Sequence, residues 1–296
     1  MSGPILVTGG AGQLATALVQ EGGPAIHRVG RPEFDFDRPD TLAAAFRAAR
    51  PSLLVNAAAW TGVDTAEAEP DAAARANRDG PATLAALCAD AGIPMIHVST
   101  DYVFDGLKGA PYTEADPTSP TGVYGRTKLE GEQAVLAACP QAVVLRTSWV
   151  YSAAGKNFVR TMLGAATRMP RLRVVADQRG CPTAARDLAV AILSIALQLG
   201  DGNPTRSGVF HASGTGEATW HGFATAIFEG AARHGHPVPA VDAIATADWP
   251  TPARRPLDSR LDCTKLASVF GVRLPPWRPS LGRVIDELLA PANPAG

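Results

Sequence analysis

The first fifteen residues leave little choice of fold. Ile5-Leu6-Val7 is a short apolar run suited to a buried strand, and it breaks at once into Gly9-Gly10-Ala11-Gly12. From residue 13 to 21 the pattern is helical. A strand, a glycine turn and a helix in that order set unpaired helix N–H groups beside a backbone that a pyrophosphate can approach closely. The spacing is Gly9-x-x-Gly12-x-x-Ala15, with alanine where a third glycine is common, and alanine still permits close helix–strand packing. The turn therefore predicts a dinucleotide held at Gly9 and Gly12.

The same rhythm runs on. Strands are expected at 25–29, 53–56, 95–99 and 142–147, with helices at 40–50, 65–77, 80–91 and 121–138. Short buried strands alternating with helices imply a parallel sheet covered on both faces. The expected architecture is α/β, a Rossmann-type doubly wound parallel sheet over 1–148 with a smaller C-terminal substrate-binding lobe over 149–296. Segments near 172–212 are expected to return to the first domain. Later helices fall at 157–167, 184–199, 219–234 and 280–289, and 291–296 reads as a frayed tail. The stretch 237–256 carries five prolines, so it reads as an ordered loop or an edge feature.

Composition narrows the partners. Hydrophobic residues are 46% and charged residues 19%, which supplies a core and excludes disorder. Net charge is −1 with no block of like charge, so neither nucleic acid nor a membrane surface is an expected partner. No apolar run is long enough to span a bilayer, and no basic stretch precedes Ile5 as in a signal peptide. Cys88, Cys139, Cys181 and Cys263 lie too far apart for a metal pair or a compact disulfide framework, which suits reduced thiols in the cytoplasm.

Chemistry enters at the ends of strands. The second strand ends in Val29-Gly30-Arg31, where a carboxylate would read the ribose 2′-OH of NAD. Arg31 suits a 2′-phosphate instead, which favours NADPH and leaves NADH possible; the other reading is a surface arginine. Asp35 and Phe36 are placed to border the adenine by hydrogen bond and apolar contact. Ser99-Thr100-Asp101 ends the fourth strand, and Tyr124 and Lys128 follow at i and i+4 on one helix face. An ammonium beside a phenol favours the phenolate and lowers its pKa, so the pair can deliver a proton to a carbonyl oxygen as hydride reaches the carbon. The Thr100 hydroxyl can hold the same oxygen. With four tyrosines and four lysines in the chain, the pairing is a specific signal.

The glycine turn, Thr100 and Tyr124-x-x-x-Lys128 together resemble the short-chain dehydrogenase/reductase superfamily. Six longer phrases sharpen the resemblance. They are Asn56–Glu67, Ser99–Gly106, Arg146–Tyr151, Gly155–Phe158, Asp177–Thr183 and Thr251–Pro256, kept in order from Ile5 to about Leu289. These are similar to the dTDP-4-dehydrorhamnose reductase family, an extended branch that reduces the 4-keto group of dTDP-6-deoxy-L-lyxo-4-hexulose. The resemblance implies Tyr124 as proton donor, Lys128 as its partner and ribose ligand, and Thr100 as the hydroxyl on the oxygen. It implies Thr100 and Asp101 against the sugar and Trp149 beside the thymine. It also puts Gly12, Gln13 and Leu14, then Ala59, Trp60 and Thr61, against the dinucleotide. Asn157, at a helix start, either bonds the substrate diphosphate or caps its helix.

Departures from the family bear on metal and assembly. Members that dimerise around Mg²⁺ use carboxylates where Ala17 and Arg186 stand here, and Mg²⁺ needs oxygen ligands. No metal and a monomer or weak homodimer are therefore expected, with a small-molecule nucleotide sugar as the partner. Another nucleotide-sugar reductase or epimerase, or a non-catalytic NADP-binding regulatory subunit, stay open; a 4,6-dehydratase lacks its glutamate, since Tyr102 follows Asp101. His97, Trp220 and Phe223 read as packing residues, and one of Arg254 and Arg255 either reaches the diphosphate or forms a surface ion pair. Because it removes only the phenolic hydroxyl and keeps the ring, Tyr124→Phe is expected to cut the reduction rate at least about 100-fold while NADPH affinity stays nearly unchanged. Steady-state rates beside cofactor titration check this.

Overall fold

The computed structural model describes residues 3–199 and 203–290. The first half alternates through β1 (Ile5–Thr8), α1 (Gln13–Gly22), β2 (Ile26–Val29), α2 (Pro39–Ala49) and β3 (Leu53–Asn56). It continues with α3 (Val63–Ala68), α4 (Pro70–Ala74), α5 (Gly80–Ala91), β4 (Met95–Thr100), α6 (Val123–Ala138) and β5 (Val143–Thr147). The second half holds β6 (Val150–Tyr151), α7 (Phe158–Ala166), β7 (Arg171–Val175), β8 (Arg179–Gly180), β9 (Thr183–Ala184) and α8 (Ala185–Ala196). After these come β10 (Gly208–His211), β11 (Ala218–Thr219), α9 (Trp220–Ala232), β12 (Ala240–Ile244), α10 (Thr264–Phe270) and α11 (Trp277–Leu289).

Six strands form one sheet in the order β2-β1-β3-β4-β5-β10, and every pairing is parallel. Successive side chains leave a strand on opposite faces, and the two cores sort accordingly. Val7, Val55 and Leu145 face α1 and α8, while Leu6, Leu54 and Val144 face the side covered by α2 and α5. Both sets are fully buried, which is why these strands read as continuous apolar runs rather than alternating ones. A separate core of Tyr151, Leu163, Phe223, Ile227, Trp277 and Ile285 builds the lobe. Within 172–212, β7 pairs with β12 in that lobe, whereas β10 joins the sheet and α8 packs against its face. The proline-rich stretch 237–256 thus holds a short strand on a two-stranded edge.

Two helix expectations change. The single helix at 65–77 is divided, because Pro70 has no N–H to donate and disfavours helical geometry in the residue before it; α3 stops, Glu69 leaves helical geometry, and Pro70 starts α4 afresh. A π-turn at Arg75–Asp79 then leads into α5. The last helix begins at Trp277, ahead of the expected 280, since Pro279 lies in the first turn where its missing N–H costs nothing. The tail at 291–296 lies outside the described residues.

The π-turn matters for the site because it crosses α6 at Gly131. A Cβ built there would stand 1.9 Å from the Asn77 carbonyl oxygen, so the backbones touch. Gly131→Ala gains about 1 kcal/mol of helix propensity but must push the two elements apart. A net loss of about 1–3 kcal/mol is expected, read as a lower urea midpoint.

Candidate active site

Strand order reverses between β1 and β3, and open parallel sheets bind ligands at such a gap, beyond the carboxyl ends of the strands. The gap is pinned by fully buried polar side chains. Thr8 Oγ1 donates to Asn56 Oδ1 at 2.6 Å, and Asn56 Nδ2 donates to His97 Nδ1 at 3.0 Å. The Ala58 N–H closes the group on Thr8 Oγ1 at 3.2 Å. Burial holds the His97 imidazole well below its ordinary pKa, so it is a neutral acceptor in the floor and no acid or base. A cavity of about 1040 Å³ opens above, running from the glycine turn past Thr100 and Tyr124 to Trp149.

The glycine turn is shaped for bare backbone. Gly9 and Gly10 have φ of 115° and 52°, and a Cβ on Gly12 would lie 2.9 Å from the Gly9 carbonyl oxygen. No side chain caps α1 at Gly12, so its first N–H groups are open to an anion. These features fit a dinucleotide pyrophosphate. Gln13, Leu14, Asp35, Phe36, Ala59, Trp60 and Thr61 line the same cavity, as does Arg31. Arg31 is 69% exposed and pairs with Asp35 at 3.0 Å and with Asp37 at 2.9 Å. Asp37 also takes Arg75 at 3.1 Å. The corner expected to take the adenosine is thus an arginine–carboxylate cluster, of which Asp37 and Arg75 were not among the residues read from sequence.

Tyr124 and Lys128 stand on the cavity face of α6, and Glu132 continues the same face one turn further on. The helix start is capped from a distance: Glu67 Oε1 accepts from the Val123 N–H at 2.8 Å. Asn77, from the π-turn, grips both neighbours of the site. Its amide bonds the Trp60 N–H and carbonyl at 2.9 and 3.2 Å and the Thr127 hydroxyl at 3.1 Å. Glu132 is buried against Arg146 at 2.7 Å and accepts from Ser99 at 2.5 Å. Such bidentate pairing lets an ion pair sit inside a core. None of Glu67, Asn77 and Glu132 was legible as a site residue, because each acts through a partner distant in sequence.

The titrations differ from the simple pairing expectation. Burial pushes the Tyr124 phenol up to about 12, with Thr100 hydrogen bonding working against it. The Lys128 ammonium is 2% exposed and donates to the Val98 carbonyl at 2.7 Å. Burial lowers it to about 8, opposed by Glu132. Dehydration, rather than charge pairing along the helix, is thus the largest influence on the phenol. Thr100 Oγ1 bonds Asp101 Oδ1 at 3.1 Å, and burial raises the Asp101 carboxyl to about 6.

At the far end Trp149 has a positive φ of 48°, a conformation that costs a non-glycine residue about 1–3 kcal/mol and marks functional sites. Its indole lies face to face with Trp220 at 3.5 Å between ring centroids and 8° between planes. Trp220, expected only to pack its helix, lines the cavity, and Gln178 Oε1 accepts from its Nε1 at 3.2 Å. Phe223 is fully buried, as expected. Asn157 caps α7 by accepting from the Arg160 N–H at 3.2 Å, and its amide N–H groups bond Gln13, Ser152 and Ala154. Neither Arg254 nor Arg255 lines the cavity, and Arg255 is held by Asp64 at 2.8 Å. Lys156 does line it. Among the described residues no His, Cys, Asp or Glu cluster could hold a metal, all four cysteines are unpaired, and no helix could cross a membrane. Arg186 is paired with Glu21 of α1 at 2.7 Å.

A doubly wound parallel sheet with this glycine turn, and Thr100, Tyr124 and Lys128 on one cavity, defines a short-chain dehydrogenase/reductase. The chain matches the family model of the RmlD substrate binding domain over residues 3–290, and it belongs to that family. It is 48% identical to dTDP-4-dehydrorhamnose reductase of Sinorhizobium fredii, covering 96% of this chain and 97% of that one. The Burkholderia thailandensis enzyme of the same name is 42% identical, over 97% and 99%. The Bacillus anthracis dTDP-4-dehydrorhamnose reductase, solved in complex with NADP, superposes with a TM-score of 0.89 at 31% identity, over 97% and 100%.

The raised Asp101 pKa has a stability sign. The folded carboxyl, near 6, binds its proton more tightly than the unfolded one at 3.8, so its contribution falls as pH rises between those values. Asp101→Asn removes this loss. Its stability relative to wild type is expected to climb between pH about 4 and about 7, by on the order of 3 kcal/mol, in urea titrations across that range.

Proposed function

We propose that the protein reduces the 4-keto group of dTDP-6-deoxy-L-lyxo-4-hexulose to give dTDP-L-rhamnose, with NADPH as cofactor and NADH as a possible substitute. One observation carries the reading. A single cavity joins a pyrophosphate cradle, a Tyr–Lys–Thr group and an aromatic end, in the order that a dinucleotide facing a nucleotide sugar requires. The family and its relatives supply the substrate class. Residues 1–148 are read as the dinucleotide domain, and the lobe drawn from 149–296 as the sugar-nucleotide side.

When bound, the reduced nicotinamide supplies a hydride to the keto carbon. The chain's own groups do the rest. Tyr124, with its phenol near 12, is protonated at neutral pH and holds a proton for the keto oxygen. Thr100 offers a second hydroxyl to the same oxygen and fixes its position. Once Tyr124 has given up its proton, the Lys128 charge one helical turn away stabilises the phenolate. Lys128, near 8, is mostly charged at pH 7 and can also bond the nicotinamide ribose. Asp101 lies against the sugar. The Trp149 platform receives the thymine, and Lys156 faces the diphosphate as a point charge.

Supplying the 4-keto sugar nucleotide and following loss of the reduced nicotinamide tests the reaction directly. Cofactor binding without turnover would overturn it. For Trp149→Ala, the lost contact is to a part of the substrate remote from the reacting carbon, so ground and transition states lose similar binding energy. A KM raised from several-fold to about a hundredfold, with kcat largely preserved, is expected from the lost stacking and burial. Unchanged KM with a large drop in Tm would instead make Trp149 a packing residue.

A further inference from the structure

Gln13 sits where the two halves of the cavity meet. It is the first residue of α1, so its backbone belongs to the pyrophosphate cradle. Its side chain leaves in the other direction. Oε1 accepts from Ser152 Oγ at 2.9 Å and from Asn157 Nδ2 at 3.0 Å, and Nε2 reaches the Val150 carbonyl at 3.5 Å. The loop between β6 and α7 is pressed against it: a Cβ on Gly155 would stand 3.1 Å from Gln13 Cγ. The same segment carries Trp149, Gly155 and Lys156 into the cavity. One amide therefore ties the dinucleotide turn to the stretch read above as facing the sugar nucleotide.

The tie is separable from folding. Asn157 Nδ2 also donates to the Ser152 and Ala154 carbonyls, and Ser152 Oγ also reaches the Ala154 carbonyl. Loss of the Gln13 amide leaves those donors partnered, and the loop keeps its β6–β9 pairing. What is lost is the connection between α1 and the loop.

We propose that Gln13 is a positioning residue that couples the two ligand sites. A pyrophosphate on the glycine turn fixes the first turn of α1 and, through the Gln13 amide, the 149–157 loop. The second ligand then meets a loop whose ordering is already done, so each ligand tightens the other by the same factor. This rests on the functional reading above.

Calorimetric titration of the full chain with NADP⁺ and with dTDP, each alone and each with the other saturating, measures that factor without turnover. In wild type it is expected at about five- to twentyfold. In Gln13→Ala it should fall to within about twofold of unity, whatever happens to the separate affinities, and in Ser152→Ala to an intermediate value. A wild-type factor of one overturns the proposal, and so does a variant factor equal to that of wild type. Should Gln13→Ala fail to fold, Ser152→Ala decides alone, an unchanged factor again being fatal. If wild type bound neither ligand, the functional reading would fall first and this coupling with it.

Discussion

The Thr8–Asn56 hydrogen bond is the constraint on which the site rests. It spans the gap where the strand order reverses, between two fully buried side chains with no access to water. Leaving either unpaired inside a core costs about 1–3 kcal/mol. The pair therefore sets the carboxyl ends of β1 and β3 at fixed height and spacing. His97 extends the lock to β4, whose end carries Thr100. The glycine turn and the Thr100 hydroxyl thus share one rigid floor.

Around that floor α6, which carries Tyr124 and Lys128, is held by polar residues that do not line the cavity. Glu67 receives the first N–H of α6, Asn77 clasps the helix beside Tyr124 and Lys128, and Glu132 anchors it to β5 through Arg146. Each is a polar group satisfied across a large sequence separation. Together they hold Tyr124 half-buried in the cavity wall and Lys128 buried behind it, and burial raises one pKa and lowers the other. Both shifts have burial as their first cause, so the site's electrostatics follow from packing.

The lobe adds a second, looser set of ties. Trp149 keeps its unusual backbone because its indole is stacked on Trp220 and its carbonyl accepts from the Thr183 N–H at 3.2 Å. Gly180 is required beside it, since a Cβ there would come within 2.4 Å of the indole. The phrase running from Asp177 to Thr183 thus has a packing meaning beside any contact with ligand. The segment Asn56–Glu67 does likewise, with Asp64 holding Arg255 and Glu67 holding α6.

Local chemistry by itself determined the strand–turn–helix opening, the parallel sheet and the Tyr124–Lys128 pair. Buried four-residue strands, glycine φ values and an i, i+4 spacing are short-range properties that sequence displays directly. The break at Pro70 has an equally local cause in proline's missing N–H, although the periodicity had carried one helix through it. Tertiary structure alone decided which polar residues meet. Asn77 reaches Thr127, Gln13 reaches Asn157 and Trp220 reaches Trp149, pairs separated by 50, 144 and 71 positions. It also decided the protonation energetics, because Tyr124 and Lys128 answer first to the water that packing removes. Spacing along a chain fixes what one helix or strand presents; only the closed fold fixes what stands opposite and how dry the space between them is.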